Sequence, residues 1–336
     1  LTISESPLSG RSYHTAVWTG ENMLIYGGYD GSNALNDGVI FNAPFRPPGS
    51  DWLEMFPPDS PSARYGHAMA YDSSRGVTVL FGGYRLGDTW EYDGNNWVQR
   101  FPLNSPSARQ EHAMVYDSAR GVTILFGGSS GDTWEWDGIN WMQRFPVDTP
   151  PARRNSHGMA YDFIREVTVL FGGRSITDCL CDTWEWDGIN WTQRFSVNTP
   201  PARDSHAIVY DSAHGVILLF GGVTIGDIWL GDTWEWDGTD WTQILPVNSP
   251  FERLSHAMAY DSVRMVTILF GGYNGTINDT WEWDGTNWMQ MNTMNSPSGR
   301  WAYSIAYDST KGTTVLFGGT NSGGSTYFGD TWEYNP

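Results

Sequence analysis

Residues 64–99 read RYGHAMAYDSSRGVTVLFGGYRLGDTWEYDGNNWVQ, and the punctuation of this stretch decides the fold. His67 to Asp72 has the content of a short strand, and Asp72-Ser73-Ser74-Arg75-Gly76 is a turn. Val77 to Phe81 is a run of β-formers with too little alternation for a half-exposed strand, so both of its faces are expected to be buried. A loop follows Gly82-Gly83, and then comes the strand Thr89-Trp90-Glu91-Tyr92. Asp93-Gly94 is a favoured pair for a tight hairpin turn, and Trp97-Val98-Gln99 opens a fourth strand. Helical periodicity appears nowhere in the chain.

The same punctuation recurs. Gly-Gly pairs begin at Gly27, Gly82, Gly127, Gly172, Gly221, Gly271 and Gly318, spaced by 55, 45, 45, 49, 50 and 47 residues. An arginine precedes each pair at a nearly constant distance: Arg11, Arg64, Arg109, Arg154, Arg203, Arg253 and Arg300. Four short strands repeated at this period predict a β-propeller. Seven units fill 336 residues, which predicts one domain over 1–336 with blades at about 11–52, 53–97, 98–141, 142–191, 192–241, 242–288 and 289–336. The last unit ends one strand short at Glu333-Tyr334-Asn335-Pro336, so Leu1-Thr2-Ile3-Ser4 is expected to close the ring beside Thr331 to Tyr334. That segment lacks the tryptophan which other fourth strands carry.

Arg-x-x-His, a hydrophobic strand ending in Gly-Gly, then Asp-x-aromatic-x-aromatic-Asp and a Trp resemble kelch repeats. Strings such as Tyr116 to Gly128 and Asp132 to Gly138 resemble bacterial kelch proteins of the galactose-oxidase-like type. The resemblance covers essentially the whole chain. Unit one departs from it, with Asn36-Asp37-Gly38-Val39-Ile40-Phe41 where the others carry Asp-Thr-Trp-Glu. It implies a seven-bladed ring. The radical copper oxidases of this fold need a tyrosine crosslinked to cysteine and non-repeat histidine ligands, and the sequence shows neither.

Composition narrows the function classes. Aromatic residues are 15% of the chain, which argues against disorder. The net charge is −19 and Lys311 is the only lysine, a poor match for nucleic-acid phosphates or an anionic membrane surface. No apolar run is long enough for a spanning helix. The chain begins at Leu1 with no signal-like segment and reads as processed or as a fragment. Cys179 and Cys181 are too few for a disulfide framework or a structural zinc site; a local disulfide, a redox pair and two free thiols all remain open.

Residue types that recur in every unit read as architecture. His67, His112, His206 and His256, with His14 and His157, sit three residues after the repeat arginine, and Tyr303 takes that place in unit seven. A ring spreads them apart, so no metal site and no cofactor is expected. Glu91, Glu135, Glu235 and Glu282, with Glu185 and Glu333, lie between aromatics on the third strand and are expected to be buried. The repeat arginines Arg64, Arg109, Arg203 and Arg253 are their natural bidentate partners. The paired tryptophans, such as Trp134 and Trp136, read as inter-blade core in preference to a sugar platform. The Asp-Gly turns lack the alternating acidic ligands of a calcium loop.

Binding residues are sought where units differ. The loops after Gly-Gly vary in length and content while the frames stay constant, and variable loops on a rigid scaffold carry binding. Beside them lie the two residues between Arg and His. Tyr13, Tyr65, Glu111, Asp204 and Trp301 give a channel mouth with aromatics on one side and carboxylates on the other. Trp229, Tyr327 and Phe328 add loop aromatics suited to stacking on sugars or on a partner's apolar patch. His214, the off-repeat histidine, falls in a turn on the opposite face. Sequons begin at Asn190, Asn274 and Asn278. The sequence therefore predicts a non-catalytic module, extracellular or periplasmic, that binds a glycan or a protein partner. An assembly subunit of a larger extracellular complex is the alternative, and a copper oxidase the third reading.

Overall fold

The computed structural model describes residues 15–18, 23–26, 32, 38–41, 50–128, 130–150, 154–273, 277–321 and 323–335. The chain forms two compact units, Leu1–Gly49 and Ser50–Pro336. The described part of the first is a three-stranded antiparallel sheet of Thr15–Trp18, Met23–Tyr26 and Gly38–Phe41, in that order. The second is a β-propeller of six four-stranded antiparallel blades. No helix occurs among the described residues, so none is long and apolar enough to cross a membrane.

Blade I comprises Ala68–Asp72, Val77–Gly83, Leu86–Tyr92 and Trp97–Arg100. Blade II is His112–Asp117, Val122–Gly127, Thr133–Trp136 and Trp141–Arg144. Blade III is Gly158–Asp162, Val167–Phe171, Thr183–Trp186 and Trp191–Arg194. Blade IV is Ala207–Asp211, Val216–Val223, Trp229–Trp236 and Trp241–Ile244. Blade V is Ala257–Asp261, Val266–Phe270, Thr280–Trp283 and Trp288–Met291. Blade VI takes Ser304–Asp308, Thr313–Phe317 and Thr331–Asn335 from the end of the chain and Asp51–Met55 from its beginning.

Two expectations are corrected here. The ring has six blades, not seven. Its closing strand is Asp51–Met55, paired in register with Thr331–Asn335; Leu1 to Ser4, His14 and Tyr13 lie outside the described residues. The physical reason is a tryptophan. In every blade the fourth-strand indole donates to the third-strand threonine of the preceding blade: Trp141 to Thr89, Trp191 to Thr133, Trp241 to Thr183 and Trp288 to Thr233, at 2.9–3.1 Å. Trp52 supplies this bond to Thr280 at 2.8 Å, and Trp97 closes the circle on Thr331 at 3.0 Å. Leu1 to Ser4 has no indole to offer, and unit one carries Gly38 where a blade needs its threonine hydroxyl.

Second strands such as Val122–Gly127 are buried on both faces as expected, because each sheet packs against a neighbour on either side. The Gly-Gly pairs are explained by a second circle of bonds. The second glycine of each pair donates its N–H to the carbonyl of the next repeat arginine, from Gly83 to Arg109 through to Gly319 to Arg64. Gly128 has φ +68°, and a Cβ there would lie 2.5 Å from the Gln110 carbonyl oxygen, so no side chain fits.

The repeat arginines do not partner the glutamates. Each forks onto the aspartate that opens the third strand, as Arg109 does onto Asp132 at 2.6 and 3.1 Å, and also donates to the first glycine's carbonyl. The glutamates are held instead by the arginine of the first turn and the one ending the fourth strand: Arg75 and Arg100 for Glu91, Arg120 and Arg144 for Glu135, Arg165 and Arg194 for Glu185. Glu282 is held by Arg264 and by the Tyr334 hydroxyl, which donates to it at 2.9 Å, and Glu333 by Lys311 and the Tyr92 hydroxyl at 3.3 Å. Glu235 faces His214, with Ile244 at the end of its fourth strand. The histidines pack edge-on against a phenylalanine of the neighbouring blade, as His112 does on Phe81. Burial, then the nearby arginine, lowers His67, His112 and His206 to about 3, so they are neutral at physiological pH. Tyr303, in the same place, donates its hydroxyl to the Phe270 carbonyl.

Candidate functional site

Around one end of the propeller axis, the residue before each blade's histidine (in blade VI, before Tyr303) adopts left-handed backbone: Gly66, Glu111, Ser156, Ser205, Ser255 and Ala302, with φ between 53° and 67°. Their peptides form a closed circle. Glu111 donates to Gly66, Ser156 to Glu111, Ser205 to Ser156, Ser255 to Ser205, Ala302 to Ser255 and Gly66 to Ala302, at 2.7–3.2 Å. This circle is the throat of the channel. A cavity of about 130 Å³ lies at it. Further along the inner strands an axial cavity of about 360 Å³, bordered by Met69, Met114, Met159 and Tyr116, has no charged side chain in its wall. Glu111 is the one charged residue of the throat, and a glutamate at positive φ is an uncommon placement.

Outside the throat sits a rosette built on one repeated backbone device. In five blades the residue after the repeat arginine and the residue after Gly-Gly are hydrogen bonded to each other through their backbones. Tyr84 donates to the Tyr65 carbonyl, Arg174 to Asn155, Val223 to Asp204, Tyr273 to Leu254 and Thr320 to Trp301, at 2.8–3.0 Å. An invariant frame thus carries variable side chains.

Half of this rosette is aromatic. Tyr84 stacks on Tyr65 with centroids 5.4 Å apart, and Tyr65 meets Tyr327 at 4.9 Å and Trp301 at 6.3 Å. Trp301 meets Tyr273 edge-on at 5.4 Å, and Tyr273 meets Trp229 at 5.7 Å. Tyr84 and Tyr327 are 38% and 43% exposed, and the Arg85 guanidinium lies over the Tyr84 ring, 4.9 Å from its centroid. The Trp301 indole is anchored to the Asn321 carbonyl at 3.0 Å.

The other half is polar. Asp204 is buried, and it accepts from Ser205 Oγ at 2.7 Å and Cys179 Sγ at 3.3 Å, with Arg174 3.7 Å away. Burial and the Asp204 charge push the Cys179 thiol up to about 11; Cys179 and Cys181 are both free. Burial, then the Asp204 charge, raises the Glu111 carboxyl above its usual range. Burial, then the neighbouring Tyr327 and Tyr84, with the Glu111 charge as a smaller cause, raises the Tyr65 hydroxyl above its usual range.

The structure therefore brings Tyr65, Trp229, Trp301 and Tyr327 together on one side and Glu111 and Asp204 on the other. Phe328 belongs elsewhere. Its ring lies 4.2 Å under the Arg300 guanidinium and its carbonyl accepts from Arg64, a place held by Leu86, Leu180 and Leu230 in other blades. Tyr84, Tyr273 and Arg174 were not singled out from sequence. Their signal was available: each directly follows Gly-Gly. Among the described residues no three His, Cys, Asp or Glu side chains are grouped to hold a metal ion. No family model and no curated protein matches the chain. Fold and site define its class as a β-propeller with a half-aromatic, half-acidic channel mouth.

Proposed function

We propose that the protein is a non-catalytic, extracellular or periplasmic binding module that holds a glycan at the channel mouth. The carrying observation is the aromatic half-rosette beside Glu111 and Asp204. Aromatic faces stack on the C–H faces of sugars, and carboxylates accept from sugar hydroxyls. The net charge of −19 favours an uncharged glycan over a sulfated or uronic one. We read the blades as kelch-like repeats, on the Arg-x-x-His, Gly-Gly and Asp-Thr-Trp-Glu pattern alone.

The test is a glycan array, run with calcium and again with chelator, on the full chain and on Trp301→Ala. Binding to an uncharged glycan that is lost in Trp301→Ala supports the reading, and a blank array ends it. Assembly is the second reading. It is favoured by apolar residues repeated in the links between blades, Phe56, Phe101, Phe145, Phe195 and Leu245, which are 79–84% exposed. A native mass of one chain across the micromolar range counts against that reading.

A further inference from the structure

In five of the six blades the chain supplies its own cation to the third-strand glutamate. Glu91, Glu135 and Glu185 take one from the first turn and a second from the end of the fourth strand, where Arg100, Arg144 and Arg194 reach them at 2.6–2.7 Å. Those three fourth-strand arginines stay 39–46% exposed, so the carboxylate is approached from the outer rim. Glu282 and Glu333 each combine one cation with a tyrosine hydroxyl from the next blade. Blade IV has neither arrangement. Its turn residue is His214, held through Nδ1 on Asp211 at 2.9 Å, its fourth strand ends in Ile244, and the next blade offers Trp283 where the tyrosine would stand. Among the described residues Glu235 has no hydrogen bond, and it is partly exposed where its five counterparts are buried. Trp136, in the corresponding place one blade after Glu91, donates its indole N–H to that glutamate at 3.0 Å. The Trp283 side chain is fully buried and its Nε1 has no partner among the described residues. Trp186 and Trp236 share that state, but beside glutamates that two arginines already hold.

The molecule thus shows three times what group holds this carboxylate from the rim: a guanidinium. We infer that the rim between blades IV and V is a docking site for an arginine side chain of a basic protein partner, with the guanidinium on Glu235 as that of Arg144 is on Glu135. The surroundings fit a protein. The link after Ile244 crosses to the Asp284-Asn287 turn of blade V, where the Asn248 N–H donates to Asn287 Oδ1 at 2.8 Å. On that crossing Leu245 and Val247 are 84% and 93% exposed, an apolar flank beside a charged centre. Links at Phe101 and Phe145 are as apolar, but they lie next to glutamates already paired, so only blade IV joins the two features. An arginine set among apolar side chains is a common anchor of protein interfaces. The net charge of −19 attracts a basic partner and repels a second copy of this chain. No residue of the channel mouth takes part, so this site stands or falls independently of the glycan reading.

The test follows the Trp283 indole N–H by NMR in the full chain at pH 7.5, the signal being assigned by its loss in Trp283→Phe. The probe is acetyl-Leu-Arg-Leu-amide, and its control carries citrulline, which keeps the shape of arginine without the charge. The arginine peptide should shift the signal saturably, with half-saturation at about 1–10 mM, the strength of one charged contact and two apolar neighbours. Citrulline, and separately Glu235→Gln, should weaken binding at least about tenfold, whereas Glu135→Gln should leave it unchanged. Ile244→Arg supplies the guanidinium from the chain itself and should abolish binding. Thermal melts check that each variant is folded, and Glu235→Gln decides the matter if Ile244→Arg is not. No shift at tenfold higher peptide concentration, equal binding of the citrulline peptide, or binding undiminished in Glu235→Gln overturns the site. Acetyl-arginine-amide binding as tightly as the tripeptide overturns the protein partner, because the apolar flank then contributes nothing.

Discussion

Blades II and IV share one sheet architecture and differ in what holds a single carboxylate. In blade II, Glu135 is 2% exposed and sits between Arg120 at 2.5 Å and Arg144 at 2.6 Å. In blade IV the turn residue is His214 and the strand ends in Ile244, so Glu235 has no arginine. Burial raises its carboxyl above the usual range, and only His214 acts to lower it. His214 itself leans on Asp211, 2.9 Å away. The same third-strand position thus places a glutamate in two electrostatic states, one paired and one tolerated. The difference teaches that the third-strand glutamate is not required for the sheet. Where two arginines are present it ties three strands of the blade together, and where they are absent it is a cost.

The largest effect bears on the pH at which the two blades can be compared. His67, His112 and His206 titrate near 3 in the fold and near 6.5 when unfolded, so the unfolded chain binds more protons. Their stability contribution is complete above about pH 6.5 and is lost as pH falls toward 3. At pH 5 each should have lost about 2 kcal/mol, together a large part of a typical domain's stability. His157 and His256 shift the same way. Melting temperature should therefore fall steeply below pH 6.5, and a flat profile down to pH 4.5 would refute the burial account. Replacing His206 with tyrosine, the natural occupant in blade VI, should lessen the slope.

Above pH 6.5, Glu135→Gln should cost about 2 kcal/mol. It leaves two guanidiniums facing a neutral amide, and the figure is set below that for a fully buried pair because Arg120 and Arg144 stay 30% and 39% exposed. Urea denaturation of the full chain measures it. An unchanged midpoint would mean that the clamp is ornamental and that the difference between blades II and IV has no energetic content.

Most of the frame was legible before any coordinates. Period, Gly-Gly and Asp-Gly fixed the strands and turns, because those glycines are forced by positive φ and close approach. The blade number was not legible from the period, since Arg11 and Gly27-Gly28 repeat the outer punctuation of a blade. What decides membership of the ring is finer: a third-strand threonine to receive an indole, which unit one replaces with Gly38, and a fourth-strand indole to give, which Trp52 supplies. The glutamate partners were misassigned for a related reason. Arg75, Arg120 and Arg165 sit in what reads as a polar turn, and only the sheet's pairing returns them to the third strand. At the mouth, aromatic and acidic sides were visible as departures from the repeat. The pairing of Tyr65 with Tyr84, and of Asp204 with Val223, depends on backbone bonds that no spacing rule announces.

The smallest expected effect is the sharpest, because its sign is reversed. Glu235→Gln should leave stability at pH 7 unchanged or raise it by roughly 0.5–1 kcal/mol, a figure kept low because this side chain is only partly buried. A carboxyl whose folded pKa is raised takes up a proton on folding, so its charged form costs stability above its unfolded value near 4.5. Glutamine removes that cost, and the gain should shrink as pH falls toward 4.5, because the folded carboxyl takes up its proton before the unfolded one. Measured beside Glu135→Gln by the same urea titration, the two variants should move in opposite directions at pH 7. A loss in both would show that Glu235 is held by a favourable partner after all. His214→Gln would then reproduce the loss.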